Sequence, residues 1–480
     1  MPTNPCYCSP MRHAVIMSIM TAVGICYAQR VVLNMGITEM IKFKDTESPC
    51  PLRNITYSNT SFSTRQVEPT GDQKDWGEFG QGVLLCSFYA AWTLFQFLLI
   101  FVARLGGRFS ILVGMAITSL ATGLLPFGSI FMPIDFMNWV LLTLLRAAAG
   151  IGQAMVQHGI NRLFIKWIWL EEKKVTVRLI NCSKVVGIYF ASITTGWLIK
   201  VTSSWHIPFF VFGAAGILWI LFALFYVFAD PEKHPMIQSY ELEDLKDKVV
   251  AVEDKGKGAK DLAIFALALA QFGNEYVFLT LFTNYPKFLQ SYIKMDLMEI
   301  TQIGSLPYLM YFMGYFVFSM MCNNLFRRNL RVSCVYKFCV FIGLVVPAAL
   351  LLVLIFLQCH IIGVLIVVSI ALFLNGAAAY AIDENCLSLS LHFYPFIVTV
   401  CNACGGIAGT VTPMVIAIIA KDNSEGQWTW IFYFVIIVAF AMAICYAVMG
   451  SARRAKWDYK DNEEQPAKTK TKWYQEKPPE

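Results

Sequence analysis

The stretch from Arg146 to Trp167 reads RAAAGIGQAMVQHGINRLFIKW and lies in an apolar run long enough to cross a bilayer. It begins with an arginine and continues with small residues. At about 100° per residue, Arg146, Gly150, Gln153 and Gln157 share one helical face. A charge at membrane depth is costly and usually faces a bundle interior or an aqueous cavity. The alternative is a structural arginine paired across helices, with the small residues serving close packing.

The composition indicates a polytopic membrane protein. The chain has 480 residues, of which 57% are hydrophobic and 15% are charged, and its mean hydropathy is +0.56. These values are too apolar for an ordinary soluble enzyme or nucleic-acid binder. The net charge of +6 is spread over the loops and the tail, so it is a topology signal rather than a nucleic-acid patch.

Apolar runs of about 20 residues recur along the chain and predict an all-α membrane protein with about twelve transmembrane helices in two six-helix bundles. The predicted spans are 13–40, 80–103, 109–131, 138–164, 178–200, 207–229, 262–290, 300–322, 333–357, 361–393, 395–420 and 428–450. The domain organisation is then an N-terminal bundle (1–229), a solvated linker with a short amphipathic helix (230–261), a C-terminal bundle (262–450) and a disordered tail (451–480).

Lysine and arginine are concentrated in the loops after the even-numbered spans and in the tail. The positive-inside rule therefore predicts that both termini, the linker and the tail are cytoplasmic. The first loop, 42–79, falls on the opposite side and carries two sequons, which predict glycosylation at Asn54 and Asn59. Such a loop suits the plasma membrane and a lysosomal or vesicular membrane equally.

Two arginines interrupt apolar spans in the first bundle. Arg30 lies in the first span, with Asn34 one turn later, and Arg146 lies in the fourth. Guanidinium groups stay charged, and their planar geometry suits carboxylate or phosphate. If both face one cavity, they form an anion site. The predicted substrate-binding residues are Arg30, Arg146, Asn34, Gln153 and Gln157.

The alternative interpretation of these arginines is structural. Each guanidinium would then be neutralised by its own carboxylate. Glu39, near the end of the first span, and Glu275, in the seventh, are the candidates.

Three acidic residues in the second bundle are candidate coupling groups: Glu275 in the seventh span, and Asp383 and Glu384 in the tenth. An intramembrane carboxylate beside a cavity can bind a proton or a cation. A salt bridge to an arginine is the alternative for Glu275. For the adjacent pair, one carboxylate is expected to pair with Lys184 or an arginine and the other to reach water.

Lys184 lies early in the fifth span and has two interpretations. Its long side chain either extends to the cytoplasmic interface, which is the favoured interpretation, or adds positive charge to the cavity. The sequence alone leaves both open.

No arrangement of residues points to an enzyme, a cofactor or a metal. Cys401 and Cys404 form a CxxC motif inside a span, but no second ligand pair accompanies it. We find no serine elbow, phosphate loop or paired-carboxylate motif. The expected partners are therefore a small anionic substrate and the lipid bilayer, with sodium or a proton as the coupling ion, no nucleic acid, and a monomeric chain.

Several motifs occur in a fixed order along nearly the whole chain. They are RVVLNMGI (Arg30–Ile37), ARLGGR (Ala103–Arg108), TGLLP (Thr122–Pro126), DPEKHPMI (Asp230–Ile237), NACGGIAGTVTP (Asn402–Pro413) and WTWIF (Trp428–Phe432). Together with Arg146 and Gly150, this series resembles the anion:cation symporter family of the major facilitator superfamily. That family includes sodium/phosphate cotransporters, the lysosomal sialic-acid transporter and vesicular glutamate transporters.

The resemblance implies a two-bundle, alternating-access transporter of organic anions or phosphate, driven by protons or sodium. It assigns the family's first-span and fourth-span arginines to Arg30 and Arg146. The chain also departs from the family pattern. Gln153 replaces the common fourth-span glutamate, and Glu275–Tyr276 replaces an asparagine–tryptophan pair. Since Gln153 cannot titrate, we hypothesise that Glu275 has taken over part of the coupling role.

The predicted function is a secondary active anion transporter, working as a proton- or sodium-coupled symporter. Two alternatives remain open: a facilitative anion carrier, and a non-transporting sensor that kept the fold. Two arginines suit phosphate, sialic acid, glutamate and other carboxylates equally, so the sequence does not select the anion.

Overall fold

The computed structural model describes residues 11–41, 74–101, 105–131, 134–169, 172–248, 261–293, 295–357, 359–390, 392–421 and 424–458. Within these residues, twelve helical segments are long and apolar enough to cross a membrane. This confirms the predicted all-α, twelve-span architecture. The helices are α1 (Met11–Met40), α2 (Glu78–Phe101), α3 (Gly107–Phe131), α4 (Asp135–Trp167), α5 (Lys173–Thr202), α6 (His206–Tyr226), α7 (Ser239–Lys248), α8 (Leu262–Ser291), α9 (Leu297–Gln302), α10 (Leu306–Arg327), α11 (Val332–Leu357), α12 (Ile361–Leu389), α13 (Tyr394–Ile419) and α14 (Glu425–Met449).

The spans form two groups, which we call the N-half (α1–α6) and the C-half (α8–α14). The halves meet mainly through α2 against α13 and α5 against α10. Small residues allow this approach: a Cβ atom added at Gly82 in α2 would lie 2.4 Å from the Cβ of Ala417 in α13. The two backbones therefore pack as closely as interfaces between membrane helices favour.

The eighth span is broken near its beginning. The sequence predicts one helix over 300–322, whereas the structure has the short α9, a turn at Ile303–Ser305, and then α10. Pro307 occupies the first turn of α10, where its missing N–H costs nothing and its fixed φ favours a helix start.

The first part of the linker docks on the N-half. It contains a 3₁₀ turn (Pro231–Lys233) and α7. The carboxylate of Glu241 in α7 accepts hydrogen bonds from the backbone N–H groups of Met11 (3.0 Å) and Arg12 (2.8 Å) and so caps α1. Glu241 is buried, while most residues from 231 to 240 are exposed, so this docking contact lies within a largely solvent-exposed segment. Residues 249–260 lie outside the described part of the chain.

The beginning of the tail docks on the C-half. The indole N–H of Trp457 donates to Asp261 (2.7 Å), whose other oxygen caps α8 by accepting from the N–H of Ala263 (2.9 Å). Arg454 also forms an ion pair with Asp458 (2.5 Å). The prediction of a disordered tail therefore does not describe Ser451–Asp458, while 459–480 lie outside the described residues. We call the end of the bundle that carries the linker and this segment the linker end, and the opposite end the far end.

Candidate functional site

A cavity of about 120 Å³ lies between the two halves, and it extends from the middle of the bundle toward the linker end. Its charged lining residues are Arg30 and Lys184 from the N-half and Glu275 and Asp383 from the C-half. A positively charged wall therefore faces a negatively charged wall. The volume is below the roughly 300–1,000 Å³ typical of ligand pockets, so the cavity is narrow in this conformation.

Arg30 is held in the cavity by an amide and by aromatic rings. Its Nε donates to Oε1 of Gln153 (2.5 Å). Its guanidinium carbon lies 4.3 Å from the ring centroid of Tyr27 and 4.9 Å from that of Phe88. Cation–π contacts of this kind stabilise a cation without neutralising it. The charge remains available to a ligand.

Arg146 lies behind Arg30 and does not line the cavity. Its side chain is buried, donates to the backbone carbonyl of Arg30 (3.4 Å), and stacks 4.8 Å from the Phe88 ring centroid. Among the described residues, no carboxylate forms an ion pair with Arg30 or Arg146. The structural alternative, in which carboxylates neutralise both arginines, is therefore not what the structure shows.

Gln153 links three helices around Arg30. It accepts from Arg30, and its Nε2 donates to the carbonyl of Cys26 (3.0 Å) and to the hydroxyl of Thr118 (3.2 Å). A carboxylate could accept from Arg30 but could not make the two donations. The amide thus fixes α1, α3 and α4 around Arg30 and adds no charge.

The remaining predicted binding residues differ in whether they reach the cavity. Gln157 lines the cavity and donates to Asn161 (3.2 Å), which also lines it. Asn34 is buried and does not line the cavity. Of the five predicted substrate-binding residues, Arg30 and Gln157 reach the cavity in this conformation. Gly150, on the predicted face, serves the packing of α4 on α2, because a Cβ there would lie 2.2 Å from the carbonyl oxygen of Phe88.

Lys184 points into the cavity rather than to the membrane interface. It is a lining residue, and its Nζ lies 5.3 Å from the centroid of Tyr27. The structure therefore shows the second of its two interpretations. Arg30 and Lys184 both contact the Tyr27 ring, which places two positive charges on one wall.

The coupling candidates differ in their surroundings. Glu275 lines the cavity and accepts one hydrogen bond, from Nε2 of Gln271 (3.1 Å). Asp383 also lines it and accepts from Asn181 (2.8 Å) and from the hydroxyl of Tyr315 (3.2 Å). Both carboxylates face the cavity from the C-half, as expected for groups that respond to its contents.

Glu384 has a different environment. It is 1% exposed and forms ion pairs with Arg178 (3.2 Å) and Lys174 (3.6 Å) of α5. These contacts join the two halves at the linker end. Of the two predicted cation partners of the adjacent pair, Lys184 and an arginine, the structure has an arginine, Arg178, on Glu384. Asp383 faces the cavity.

A second cross-half ion pair closes the far end. Lys287 of α8 pairs with Glu78 of α2 and donates to Gln81 (3.1 Å). Neither this pair nor Arg178 is among the residues predicted from the sequence. For Lys287 a signal existed, since a lysine inside the seventh predicted span requires a partner. The sequence does not identify that partner, because Glu78 lies 209 positions away.

Comparison with known proteins now identifies the fold family. The sequence profile described as Major Facilitator Superfamily matches residues 54–388, more than half of the chain. The chain belongs to the Major Facilitator Superfamily. Human sialin is 24% identical over 91% of this chain and 89% of its own length. The sodium-dependent phosphate transport protein 1 of Oryctolagus cuniculus is 24% identical over 95% of this chain and 96% of its own.

Solved structures agree with the fold. A bacterial homolog of the human lysosomal transporter Spinster has a TM-score of 0.64 at 13% identity, covering 94% of this chain and 100% of that one. The relatives' names support the predicted resemblance to the anion:cation symporters within the Major Facilitator Superfamily. A multi-pass membrane protein follows from the family and the twelve spans.

Some predictions for this Major Facilitator chain fall outside the described residues or concern metals. Asn54 and Asn59 lie in the undescribed part of the first loop, so their glycosylation stays a prediction. Within the described ranges, no group of three or more His, Cys, Asp or Glu residues could hold a metal ion. Cys401 and Cys404 are both free thiols.

Proposed function

We propose that the protein is a secondary active transporter that moves a small organic anion or inorganic phosphate together with a proton, by alternating access. The observation that carries this proposal is the pair of oppositely charged walls in the central cavity, with Arg30 and Lys184 facing Glu275 and Asp383. Relatives named as a phosphate transport protein and as sialin support the anion.

Arg30 is the substrate anchor in this proposal. Among the described residues, its guanidinium makes one hydrogen bond, which Nε donates to Gln153. The two terminal nitrogens are thus available for a bidentate bond to a carboxylate or phosphate, which is the geometry that guanidinium favours. Arg146 and Gln153 hold the α1 backbone and the guanidinium in place, and Gln157 offers an amide at the same wall.

The charge balance of the cavity supplies the coupling. The empty cavity carries two positive and two negative formal charges, and in a low-dielectric interior an uncompensated charge is costly. An anion that enters alone makes the net charge of the site one unit more negative than in the empty state. Protonation of Glu275 restores the balance, so the carrier closes over an anion and a proton together.

A proton fits this site better than sodium. Lys184 already places an ammonium group in the cavity that both carboxylates line, and a metal cation bound there would have to share this small space with it. A proton bound to Glu275 needs no such space. Sodium coupling is therefore the competing outcome of the experiment below rather than the proposal.

Alternating access follows from the contacts at the two ends. The far end is held by Lys287 and Glu78, and the linker end by Glu384 with Arg178 and Lys174. Each set joins the two halves, so each must open in one of the two access states. With the linker end cytoplasmic, as the basic loops predict, both termini are cytoplasmic. The monomer works in the plasma membrane or a lysosomal or vesicular membrane.

The test is reconstitution of the full chain into liposomes. Uptake of radiolabelled phosphate, L-glutamate and sialic acid is measured under imposed proton, sodium and voltage gradients. We expect one of these anions to accumulate when the outside is acidic, and Glu275→Gln to abolish that accumulation. Glu425→Gln, which changes an exposed glutamate at the start of α14, is the matched control and should behave as wild type.

The other outcomes decide against specific parts of the proposal. Proton-driven accumulation that survives Glu275→Gln removes Glu275 as the coupling group. Sodium-driven accumulation replaces the proton. Uptake that ignores all gradients indicates a facilitative carrier, and anion-dependent thermal stabilisation without flux indicates a sensor.

A further inference from the structure

Lys184 lies on the same cavity wall as Arg30, but the proposed function assigns it no task beyond its charge. The other charged side chains that line the cavity are Arg30 of α1, Glu275 of α8 and Asp383 of α12. Lys184 is partly exposed to the cavity, and its amino group lies 5.3 Å from the ring centroid of Tyr27. Such an ammonium group requires compensation by nearby negative charge.

The compensation comes from both carboxylates at once. Lys184 forms no ion pair within 4 Å of Glu275 or Asp383 in the described structure, but all three side chains line the same cavity of about 120 Å³. In the low-dielectric interior of a helix bundle, the interaction energy between two charges several ångströms apart is still on the order of kilocalories per mole. Lys184 therefore acts on the acidic wall as a whole.

We propose that Lys184 is an internal counter-ion that cancels one of the two cavity carboxylates, so that one proton per anion balances the cavity. This inference rests on the proposed function and adds a residue to it. With Lys184 present, the four charges that line the empty cavity sum to zero. After a monovalent anion binds, the sum returns to zero once a single carboxylate is protonated. Without Lys184, every closed state needs one proton more than the wild-type carrier does.

This role differs from that of a substrate anchor. An anchor contributes through contact with the anion, and its loss cannot be repaired by removing an acid from the opposite wall. A counter-ion contributes only charge, so removal of one carboxylate should compensate for removal of the amino group. Asp383 is the suitable acid to remove, because Glu275 is then left as the titrating group.

The experiment compares four variants in liposomes at pH 7.5, with whichever of phosphate, L-glutamate and sialic acid the wild type transports. We expect Lys184→Gln to lower the uptake rate at least tenfold. The double variant Lys184→Gln/Asp383→Asn should recover to within about threefold of wild type. Lys184→Arg keeps the charge and should stay active. Lys200→Gln, an exposed lysine at the other end of α5, is the control.

Either of two results overturns the inference. One is a double variant as inactive as Lys184→Gln although the protein is folded by its thermal transition, which indicates an anchor or a structural role. The other is a Lys184→Gln variant as active as wild type. If the wild type transports none of the three anions, the proposed function fails instead, which separates the two claims.

Discussion

The two walls of the cavity are held in different ways. On the N-half, Arg30 is fixed by Gln153, by aromatic rings and, through its backbone, by Arg146. On the C-half, Glu275 accepts a single hydrogen bond, from Gln271. A cation held by many contacts keeps one position and one charge. A carboxylate with few donors can gain and lose a proton at small structural cost. In the proposed function, the N-half wall binds the anion and the C-half wall takes up the proton.

The largest expected effect comes from breaking the binding wall. Arg30→Met removes the cation and its bidentate donors, and we expect the affinity for the transported anion to fall by about 100-fold or more, equivalent to about 2.7 kcal/mol. Anion-dependent thermal shifts of the purified protein measure this. Arg108→Met changes an arginine that stacks on Phe228 at the linker end and should leave affinity unchanged. Equal losses in both variants would contradict the assignment.

A carboxylate introduced into the binding wall should weaken it by a smaller amount. Gln153→Glu places a negative charge beside Arg30 and removes the donations to Cys26 and Thr118. The new ion pair competes with the substrate, so we expect about tenfold weaker anion binding. Titration of the purified variant with the anion checks this. An affinity equal to that of wild type would show that Gln153 does not control the charge of Arg30.

Packing beneath the binding wall gives the next effect. Gly150→Ala forces a Cβ against the Phe88 carbonyl, and overpacking of this kind costs about 1–3 kcal/mol. We expect a lower thermal transition and a modest loss of anion affinity, since Phe88 contacts both guanidinium groups. Gly106→Ala has open space around the new Cβ and is the control. A Gly150→Ala variant as stable as that control would refute the packing argument.

The smallest effect lies outside the cavity, in the docked linker. Hydrogen bonds from Lys166 and Lys233 lower the pKa of Asp230. Because this pKa is lowered, the Asp230 carboxylate stabilises the fold at neutral pH. That contribution is lost as the pH falls through the pKa of Asp230 in the folded protein. Since Asp230 and both lysines are partly exposed, we expect Asp230→Asn to lower the free energy of unfolding by less than about 1 kcal/mol. Thermal unfolding at pH 7 and in acid should show a difference that disappears in acid; a constant difference would contradict this.

The fold was predictable because long apolar runs and charged interruptions report directly on membrane spans. The charged residues inside spans were equally visible. Their partners were not, since whether Lys184 faces the lipid interface or a cavity depends on how α5 packs against the C-half. The ion pair of Arg178 with Glu384 joins residues 206 positions apart, and no periodicity reports such a contact. Gln153 shows the same limit. The sequence shows a glutamine where the family resemblance implies an acid, but it does not show that the amide contacts Arg30, Cys26 and Thr118.

The central claim is that anion binding at one wall is linked to protonation of the other. The most direct measurement is proton uptake by the purified carrier, in weakly buffered detergent solution, when the anion is added. We predict uptake of about one proton per anion bound by the wild type, and none by Glu275→Gln, which should still bind the anion. Anion binding by the wild type without proton uptake would contradict the account.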